Sequence, residues 1–446
     1  MGQLFGTDGI RGVANRDLTP ELAFKLARVG TYLLTLGDEQ PFMVVGKDTR
    51  ISGDMLEGSI ISGITSLGVN VYTVGVVSTP GVAFLIKHLK ARGGVMISAS
   101  HNPLEDNGIK FFNEEGFKLK DEQELKIEEL IFSNNDDLPR PIGEQVGRVC
   151  PVEDSGRRYV DYLKQVVPLD LKGFKIVLDC ANGAVYNTAP LIFQELGAEV
   201  VVLNDCADGK NINVNCGSTN PEVVAQAVKK NGAQMGFSFD GDGDRLIAVD
   251  EKGNVVDGDY IMAVCGKYLK EQGELKKNTI VTTVMSNLGL DLAAREQGFQ
   301  LVKTKVGDRY VLENMLSEGF NFGGEQSGHV IFLDYNTTGD GILTALQLAR
   351  VLVSDNKPLS QLAGIMTKLP QVLINARVNK TGYLPENPRI NQAVLAAEKK
   401  LGSTGRVLVR PSGTEPLVRV MLEGRNEQEL HIMAEEIVQV IREELS

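Results

Sequence analysis

Short runs of apolar, β-branched residues alternate along this chain with longer segments of helical periodicity. The same order occurs three times: an apolar strand, a polar or glycine-containing loop, a helix, a glycine and a second strand. The three copies begin at residues 42, 175 and 279, and their closing glycines are Gly68, Gly197 and Gly298. This alternation predicts βαβ units in parallel or mixed sheets, and the glycines fit left-handed helix C-caps.

The chain beyond residue 370 follows a different pattern. Strand-like runs occur at 372–378, 407–409 and 417–422, and an amphipathic helix follows at 427–444. Between the first two runs, residues 380–388 hold two prolines and a glycine, which interrupt helix and sheet. We therefore predict an α/β protein of three related βαβ-type mixed-sheet domains and a smaller α+β C-terminal domain. The predicted domains are 1–152, 153–254, 255–369 and 370–446.

Composition narrows the class of protein. The 446 residues carry a net charge of −12, which argues against broad nucleic-acid binding because that needs a basic face. The chain has no apolar run long enough for a membrane span and no basic, apolar leader at its start, so we expect a cytoplasmic protein. Free thiols are expected for the five cysteines, which form no paired framework: Cys150, Cys180, Cys206, Cys216 and Cys265.

The first segment with candidate catalytic residues follows an apolar strand at 95–97. Residues 98–103 read SASHNP, a small polar turn that would expose the hydroxyl of Ser100 beside His101, with Lys110 further on. A hydroxyl on a strand-end loop can carry phosphate covalently when nearby cations bind its anion. The same letters also fit an ST-turn in which the histidine is merely hydrogen-bonded. The residues around Ser100 alone fit both a phosphate carrier and a structural turn.

The second segment reads DGDGDR over residues 240–245. Asp240, Asp242 and Asp244 alternate with glycines that allow a tight loop, so their carboxylates can converge on one hard divalent cation. An EF-hand is the rival, because Glu251 falls at its twelfth position. Its sixth position needs glycine but is Arg245, and the following residues read as a strand. A Mg²⁺ site completed by phosphate oxygen and water therefore fits better, and a solvated acidic turn is the remaining alternative.

Two further loops and the N-terminal segment are polar and rich in glycine. Residues 323–329 read GGEQSGH, where Glu325 and Ser327 suit sugar hydroxyls, Glu325 also suits an ammonium, and His329 can exchange protons. Residues 410–416 read RPSGTEP, a candidate anion nest built from Arg410, Ser412, Gly413, Thr414 and the later Arg419. Residues 5–12 read FGTDGIRG and could place Arg11 at a phosphate. Each of the three could equally be a structural turn.

Taken together, the clusters supply a hydroxyl carrier, a metal, a sugar-binding loop and a second phosphate site. A kinase would need a nucleotide loop, but the chain contains neither GxxxxGK[ST] nor GxGxxG. A simple phosphatase would need only the first two clusters. The combination therefore favours transfer of phosphate within one sugar.

Over its whole length, the chain resembles the α-D-phosphohexomutase superfamily. The resemblance rests on SASHNP at 98–103, DGDGDR at 240–245, GEQSGH at 324–329 and RPSGT at 410–414, one per predicted domain and in the family's order. It implies four domains about a central cleft, a phosphoserine at Ser100 and one Mg²⁺ per chain. That ion would be held by the three aspartates and an oxygen of the phosphoserine.

The resemblance also implies roles for the remaining residues. Glu325 and Ser327 would select the sugar, and the loop around Ser412 would hold the phosphate that is not being transferred. Arg245 and Lys110 would lie near the reacting phosphate. Lys110 and His329 are both candidates for the general acid/base.

Within the superfamily, residues 5–12, Gln326 and the segment VGDRY at 306–310 are similar to the branch that acts on an amino sugar. Relatives that use glucose or mannose phosphates tend to have methionine at the position of Gln326 and histidine at that of Asp308. The implied reaction is the interconversion of glucosamine 6-phosphate and glucosamine 1-phosphate through a 1,6-bisphosphate. It would supply UDP-N-acetylglucosamine for the cell wall.

Two alternatives and two partners accompany this prediction. The chain could instead act on glucose or mannose phosphates, or be a catalytically silent sensor of sugar phosphates. A sensor should have lost Ser100 or a metal aspartate, and none is missing. Relatives often form homodimers, and some associate with a diadenylate cyclase, so both partners are implied by the resemblance.

Overall fold

The computed structural model describes residues 4–6, 8–37, 41–133, 137–378, 387–411 and 417–445. The side chain of residue 403 is also outside the description. The chain divides into two compact units. The first unit comprises Met1–Met285 and Phe299–Ile365, and the second comprises Ser286–Gly298 and Met366–Ser446.

The first sheet of the large unit has six strands in the order β1-β5-β4-β2-β3-β6. Its central strands β4, β2 and β3 are parallel, whereas β5 pairs antiparallel with both β4 and β1. The strands are β1 Ile10–Val13, β2 Phe42–Lys47, β3 Asn70–Val76, β4 Gly93–Ile97, β5 Asp106–Asn113 and β6 Val149–Pro151. The helices are α1 Pro20–Leu34, α2 Ser52–Thr65, α3 Thr79–His88 and α4 Asp121–Phe132, and α5 Ser155–Val166 follows the sheet.

The second sheet has five strands in the order β11-β10-β9-β7-β8. β8, β7 and β9 are parallel, and β10 returns antiparallel beside β9. Its elements are β7 Lys175–Asp179, α6 Thr188–Glu195, β8 Glu199–Leu203, α7 Glu222–Asn231, β9 Met235–Phe239, β10 Leu246–Asp250 and β11 Val255–Val256. The tight β9–β10 connection therefore presents the DGDGDR segment at one end of two buried strands.

The third sheet has the order β13-β12-β14-β15, with β14 and β15 forming a hairpin. Its elements are α8 Gly258–Glu271, β12 Thr279–Thr283, α9 Leu288–Gln297, β13 Gln300–Thr304, α10 Asp308–Glu318, β14 Phe322–Gly324, β15 Val330–Phe332, α11 Gly341–Asp355 and α12 Leu359–Leu362. Although α9 connects β12 to β13, it belongs to the small unit. The GEQSGH segment forms the turn of the β14–β15 hairpin.

The small unit contains an antiparallel sheet in the order β16-β18-β17. Its further elements are β16 Gln371–Arg377, α13 Pro388–Leu401, β17 Arg406–Pro411, β18 Leu417–Glu423 and α14 Glu427–Leu445. Besides contacting the sheet, α14 packs on α13, and these elements enclose an apolar core. This confirms the predicted α+β domain, but the sequence analysis did not predict α13.

The three predicted βαβ repeats are confirmed. In each repeat the two strands pair in parallel: β2 with β3, β7 with β8, and β12 with β13. Gly68, Gly197 and Gly298 all have positive φ angles, of 83°, 95° and 68°, as the helix-ending role requires. Residues 379–386, most of the predicted linker, lie outside the described residues. The seams at 152, 254 and 369 stay predictions.

Two further expectations can be compared with the structure. All five cysteines are free thiols, as predicted. In the described part of the chain, we find no helix that is long and apolar enough to cross a membrane.

Candidate active site

Ser100 lies just beyond the end of β4 and contacts the second sheet. Its side chain is buried rather than exposed, with 1% of its surface accessible, so the sequence expectation of a surface hydroxyl was wrong. The backbone adopts φ +54°, in the left-handed region that residues other than glycine rarely enter. Its Oγ donates a hydrogen bond of 2.5 Å to Oδ2 of Asp240 and lies 3.3 Å from Nδ1 of His101. The strained turn thus aims the hydroxyl at the aspartate loop.

A buried arginine that the sequence analysis missed holds the Ser100 turn in place. The guanidinium of Arg50 pairs with Asp48 at 3.0 Å and donates to the carbonyl oxygens of Ser100 at 3.0 Å and Asn102 at 2.8 Å. Asp48 also accepts a 2.6 Å hydrogen bond from the Ser98 hydroxyl, which in turn accepts the Ser100 N–H. Arg50 therefore fixes the backbone on both sides of His101.

Asp240, Asp242 and Asp244 are buried, and a ligand oxygen from each lies within 4.8 Å of the others. Burial raises the pKa of Asp240, and the adjacent charges of Asp244 and Asp242 raise it further. Among the described residues, Oδ1 of Asp242 and Oδ1 of Asp244 have no hydrogen-bond partner. Three mutually repelling carboxylates with unsatisfied buried oxygens are the hard donor set that a divalent cation completes. These residues therefore fit a metal ion.

The EF-hand alternative is not supported by the position of Glu251. This residue follows β10, at the opposite end of the strand from the aspartates, and its carboxylate accepts hydrogen bonds from the N–H and hydroxyl of Ser360. Arg245 instead directs its backbone N–H to Oδ1 of Asp240 at 3.1 Å. The aspartate loop is therefore a turn between two strands.

Lys110 is fully buried on β5 and joins the N-terminal segment to the aspartates. Its Nζ lies 2.9 Å from Oδ2 of Asp242 and 3.0 Å from Oδ2 of Asp8. Burial opposes its charge, but the surrounding carboxylates outweigh burial and raise the pKa of Lys110. Asp8 also pairs with Arg11 and Lys118. Burial alone would raise the pKa of Asp8, but the charges of these neighbouring cations outweigh burial and lower it. Asp8 therefore connects three cations beside the aspartate loop.

The β14–β15 turn contributes Glu325, Ser327 and His329. Oε1 of Glu325 accepts the N–H of Gly307 at 3.2 Å, and burial raises the pKa of Glu325. His329 is buried, with Nδ1 at 3.5 Å from Oδ2 of Asp244. Burial alone would lower the pKa of His329, but the carboxylates of Asp244 and Asp308 outweigh burial and raise it.

The VGDRY segment at 306–310 connects this turn to the first sheet. Oδ2 of Asp308 accepts a 2.6 Å hydrogen bond from Nζ of Lys118. Arg309 pairs with Asp121 and, at 2.7 Å, with Glu124 at the start of α4. The segment therefore orients Glu325 and also holds the third sheet to the first.

A cavity of about 550 Å³ is lined by part of this set. Its lining includes neither Ser100 and Lys110 nor Asp240 and Asp242. Burial lowers the pKa of His101 to about 4, helped by the charges of Arg245 and Arg11, so its ring is neutral near pH 7. The walls therefore combine cations, carboxylates and a neutral imidazole. The polar and charged residues that line the cavity are Asp8, Arg11, His101, Asp244, Arg245, Asp308, Glu325, Ser327 and His329.

The predicted phosphate nest belongs to the small unit and is described only in part. Arg410 on β17 lies directly opposite Arg419 on β18 in the antiparallel register. Burial lowers the pKa of Arg410, and the adjacent charge of Arg419 lowers it further. Like charges opposite one another destabilise a sheet unless an anion offsets them. Ser412, Gly413 and Thr414 lie outside the described residues.

Several residues at the site were not singled out from the sequence. The hydroxyl of Thr79, at the start of α3, donates to Oδ2 of Asp242 at 2.6 Å. Asp8 lies in the segment at 5–12 and Asp308 in the segment at 306–310, but nothing local marks either residue as a partner of lysine. Arg50 and Lys118 had no local signal, because the Ser100 turn that Arg50 holds and the carboxylates that pair with Lys118 are distant in sequence.

Four domain signatures of one family match this chain. Phosphoglucomutase/phosphomannomutase alpha/beta/alpha domain I matches residues 2–137, domain II matches 157–253 and domain III matches 257–369. The C-terminal domain of the same family matches 373–440. Together the signatures span most of the sequence.

Full-length relatives carry a more specific name. The chain is 58% identical over 450 residues to a phosphoglucosamine mutase from Alkaliphilus oremlandii, with all of both chains covered. It is 56% identical to the phosphoglucosamine mutase of Geobacillus thermodenitrificans, covering 100% of this chain and 99% of the relative. Both comparisons extend over every predicted domain.

Solved structures share the fold. A phosphoglucomutase/phosphomannomutase family protein from Burkholderia thailandensis matches with a TM-score of 0.81 at 24% identity, covering 98% of this chain and 96% of that one. Aspergillus fumigatus N-acetylphosphoglucosamine mutase, in complex with GlcNAc-6P and magnesium, matches with a TM-score of 0.70 at 17% identity, covering 99% and 96%. At these identities the likeness concerns the fold alone.

Proposed function

Because this chain belongs to the phosphoglucomutase/phosphomannomutase family of phosphohexose mutases, we propose that it interconverts glucosamine 6-phosphate and glucosamine 1-phosphate. The observation that carries the proposal is the 2.5 Å hydrogen bond from the Ser100 hydroxyl to Asp240, beside a polar cavity. The hydroxyl would carry the phosphoryl group as phosphoserine. The full-length likeness to phosphoglucosamine mutases supports the choice of sugar.

Asp240, Asp242 and Asp244 would hold one Mg²⁺ together with an oxygen of the phosphoserine. When bound, the ion would neutralise charge on the phosphoryl group during transfer. The magnesium in the Aspergillus relative supports this choice of metal. Thr79 and Lys110 would keep Asp242 in its orientation, since both donate to its Oδ2.

The transfer conserves atoms and charge. A hydroxyl oxygen of glucosamine 6-phosphate would attack the phosphorus on Ser100 and pass its proton to a general base. The bond from phosphorus to Oγ would break, and Oγ would take up a proton from a general acid to become the serine hydroxyl. The resulting glucosamine 1,6-bisphosphate would turn in the cavity and return its other phosphoryl group to Oγ. Lys110 and His329 are the two predicted candidates for proton transfer. The catalysis would rest mainly on positioning and on charge.

Other residues of the cavity would bind the sugar and the phosphate that reacts. Glu325 would accept hydrogen bonds from the ammonium and from ring hydroxyls, and Ser327 would bond to ring hydroxyls. Arg11, His101 and Arg245 would face the reacting phosphate. Arg410, Arg419 and the nest of Ser412, Gly413 and Thr414 would bind the other phosphate. The opposed arginines support that role, because such a pair is stabilised by an anion.

Purified enzyme offers a direct test. Intact mass before and after phosphatase treatment should reveal one phosphoryl group, and peptide mapping should place it on Ser100. The kcat/KM for glucosamine phosphate should then exceed those for glucose and mannose phosphates by at least about tenfold. Equal values would support the glucose or mannose alternative, and absent turnover on all three sugars would support the silent sensor.

Supply of UDP-N-acetylglucosamine, the homodimer, the cyclase partner and the cytoplasmic location stay predictions.

A further inference from the structure

The connection between β8 and α7, residues 204–221, places an asparagine side chain against the Ser100 turn. Nδ2 of Asn213 donates to the carbonyl oxygen of Ser100 at 2.9 Å and to that of Asn102 at 3.2 Å. Arg50 binds the same two carbonyl oxygens. Each oxygen has two lone pairs and can accept from both donors. The amide and the guanidinium therefore hold the same two peptide groups.

The amide of Asn213 is enclosed between the Ser100 turn and the aspartate loop. Its own backbone N–H donates to the carbonyl of Ala181 at 2.9 Å. A Cβ on Gly241 would come within 2.5 Å of the Ser100 carbonyl oxygen and 2.9 Å of Nδ2 of Asn213. It would also come within 2.9 Å of the buried side chain of Ile212. Asn213 therefore occupies a tightly packed position at which the first and second sheets meet.

The same connection is also bonded to the segment that carries Arg50. The N–H of Ile51, the next residue after Arg50, donates to the carbonyl of Gly209 at 2.9 Å. The two donors to the Ser100 turn are thus linked to each other through a backbone hydrogen bond. Loss of the Asn213 amide would leave Arg50 as the remaining side chain described here that bonds to both carbonyl oxygens.

Backbone conformation is the competing explanation for an asparagine at this position. Asn213 has φ +60°, in the left-handed region that asparagine tolerates better than most residues. Asn215 has φ +53° and an exposed side chain, so backbone conformation can account for that residue. The side chain of Asn213 differs because it bonds to the turn of another sheet. A substitution that keeps φ and removes the amide separates the two explanations.

We infer that Asn213 is a positioning residue for phosphoryl transfer, because its amide fixes the turn that directs the Ser100 hydroxyl. That turn needs support, since Ser100 itself has φ +54° and such conformations persist only when the surrounding structure holds them. A misplacement of about 1 Å at a reacting group can lower a rate on the order of 100-fold. The inference rests on the proposed function in one respect, since it concerns Ser100 as the phosphate carrier.

Asn213→Gly tests the amide, because glycine adopts a positive φ readily and keeps the backbone shape. We expect kcat to fall by about tenfold or more while KM stays within about threefold of the parent. Asn215→Gly is the matched control, and its kcat should stay within about twofold of the parent. A parent-like kcat in Asn213→Gly would show that backbone conformation is the whole role, and would overturn the inference.

Asn213→Asp provides a second variant of nearly the same shape. Its carboxylate has no donor for the two carbonyl oxygens, so kcat should fall at least as far as in Asn213→Gly. Urea unfolding establishes the stability of each variant. If kcat per folded molecule equals that of the parent in both variants, the contact is merely structural and the inference is wrong.

Hydrogen–deuterium exchange followed by mass spectrometry examines the turn without any sugar. A peptide spanning residues 98–108 should exchange faster in Asn213→Gly than in the parent or in Asn215→Gly, while peptides from β7 and β9 should not change. Unchanged exchange of the turn, or faster exchange in all of these peptides, would contradict the inference. A parent without mutase activity would defeat the proposed function, but the exchange of the turn would still test the contact.

Discussion

The hydroxyl of Ser100 donates directly to the carboxylate of Asp240, although the two residues are 140 positions apart. One follows a strand of the first sheet, and the other follows a strand of the second. The contact therefore places a nucleophilic oxygen against a cluster of carboxylates without an intervening side chain. It also explains why Ser100 is buried, because the aspartate loop covers it.

Ser100→Ala should abolish turnover, by on the order of 10⁴-fold or more, because no other hydroxyl would take over as carrier. The variant should also fail to acquire the mass of a phosphoryl group. Ser62→Ala is the matched control, since that hydroxyl is exposed on α2 and bonds only to its own helix. Kinetics within about tenfold of the parent would remove Ser100 from the mechanism.

Asp242→Asn should weaken Mg²⁺ binding and raise the Mg²⁺ concentration needed for half-maximal rate, since one of three converging charges is lost. Glu251→Gln is the control. Its carboxylate contacts Ser360, so metal dependence should not change. Isothermal titration with Mg²⁺ and Ca²⁺ measures both variants. A loss of Ca²⁺ binding in Glu251→Gln would restore the EF-hand interpretation.

Arg50→Met should lower stability by roughly 3–5 kcal/mol, because it leaves the buried carboxylate of Asp48 without its charged partner. The Ser100 turn would also lose two carbonyl contacts, so kcat should fall even at temperatures where the variant is folded. Urea unfolding gives the stability and steady-state assays give the rate. The exposed Arg16 is the control, and Arg16→Met should leave both unchanged.

Glu325→Gln should reduce the preference for glucosamine over glucose phosphate, because a charge-assisted hydrogen bond to the ammonium is worth roughly 1.5–3 kcal/mol. The comparison uses kcat/KM for both sugars. Asp308→Asn is the informative partner, since Asp308 lines the same cavity but already pairs with Lys118. If the preference survives Glu325→Gln and disappears in Asp308→Asn, the ammonium contacts Asp308.

Three thiols should resist alkylation. Burial raises the pKa of Cys216 and of Cys265 to about 12 and holds that of Cys180 well above its usual range. Their thiolate fraction at pH 8 is then on the order of 10⁻⁴ or less, and only the thiolate reacts. Mass spectrometry after brief treatment with N-ethylmaleimide should show rapid labelling of the exposed Cys206. Rapid labelling of Cys265 in the folded protein would contradict its burial.

The repeated sheets could be predicted because each strand is apolar enough to stand out and each helix ends at a glycine. The helix α13 was missed for a specific reason. Pro388 was interpreted as an interruption, whereas it occupies the first turn of the helix, where proline is favoured. Asn387 before it caps the helix by accepting the N–H groups of Arg389 and Ile390.

At the candidate site, local spacing was enough to find the aspartates, because alternation with glycine is a pattern within six residues. The burial of Ser100 could not be found in this way, since it depends on a loop of another sheet. The same holds for Lys118, whose partners Asp8 and Asp308 lie 110 and 190 positions away. Long-range charge pairs carry no local signature.

The segment Ser286–Gly298 has a consequence for how the protein is made. The side chain of Asn287, at the start of α9, donates hydrogen bonds to Leu369 and Glu423. These contacts can form only after residues near the end of the chain have been made. At a translation rate of about 5–20 residues per second, the ribosome needs roughly 6–25 s to pass from that helix to β18. During this interval the nascent helix has no finished partner. The contacts of Asn287 at the start of α9 can therefore form only late in synthesis.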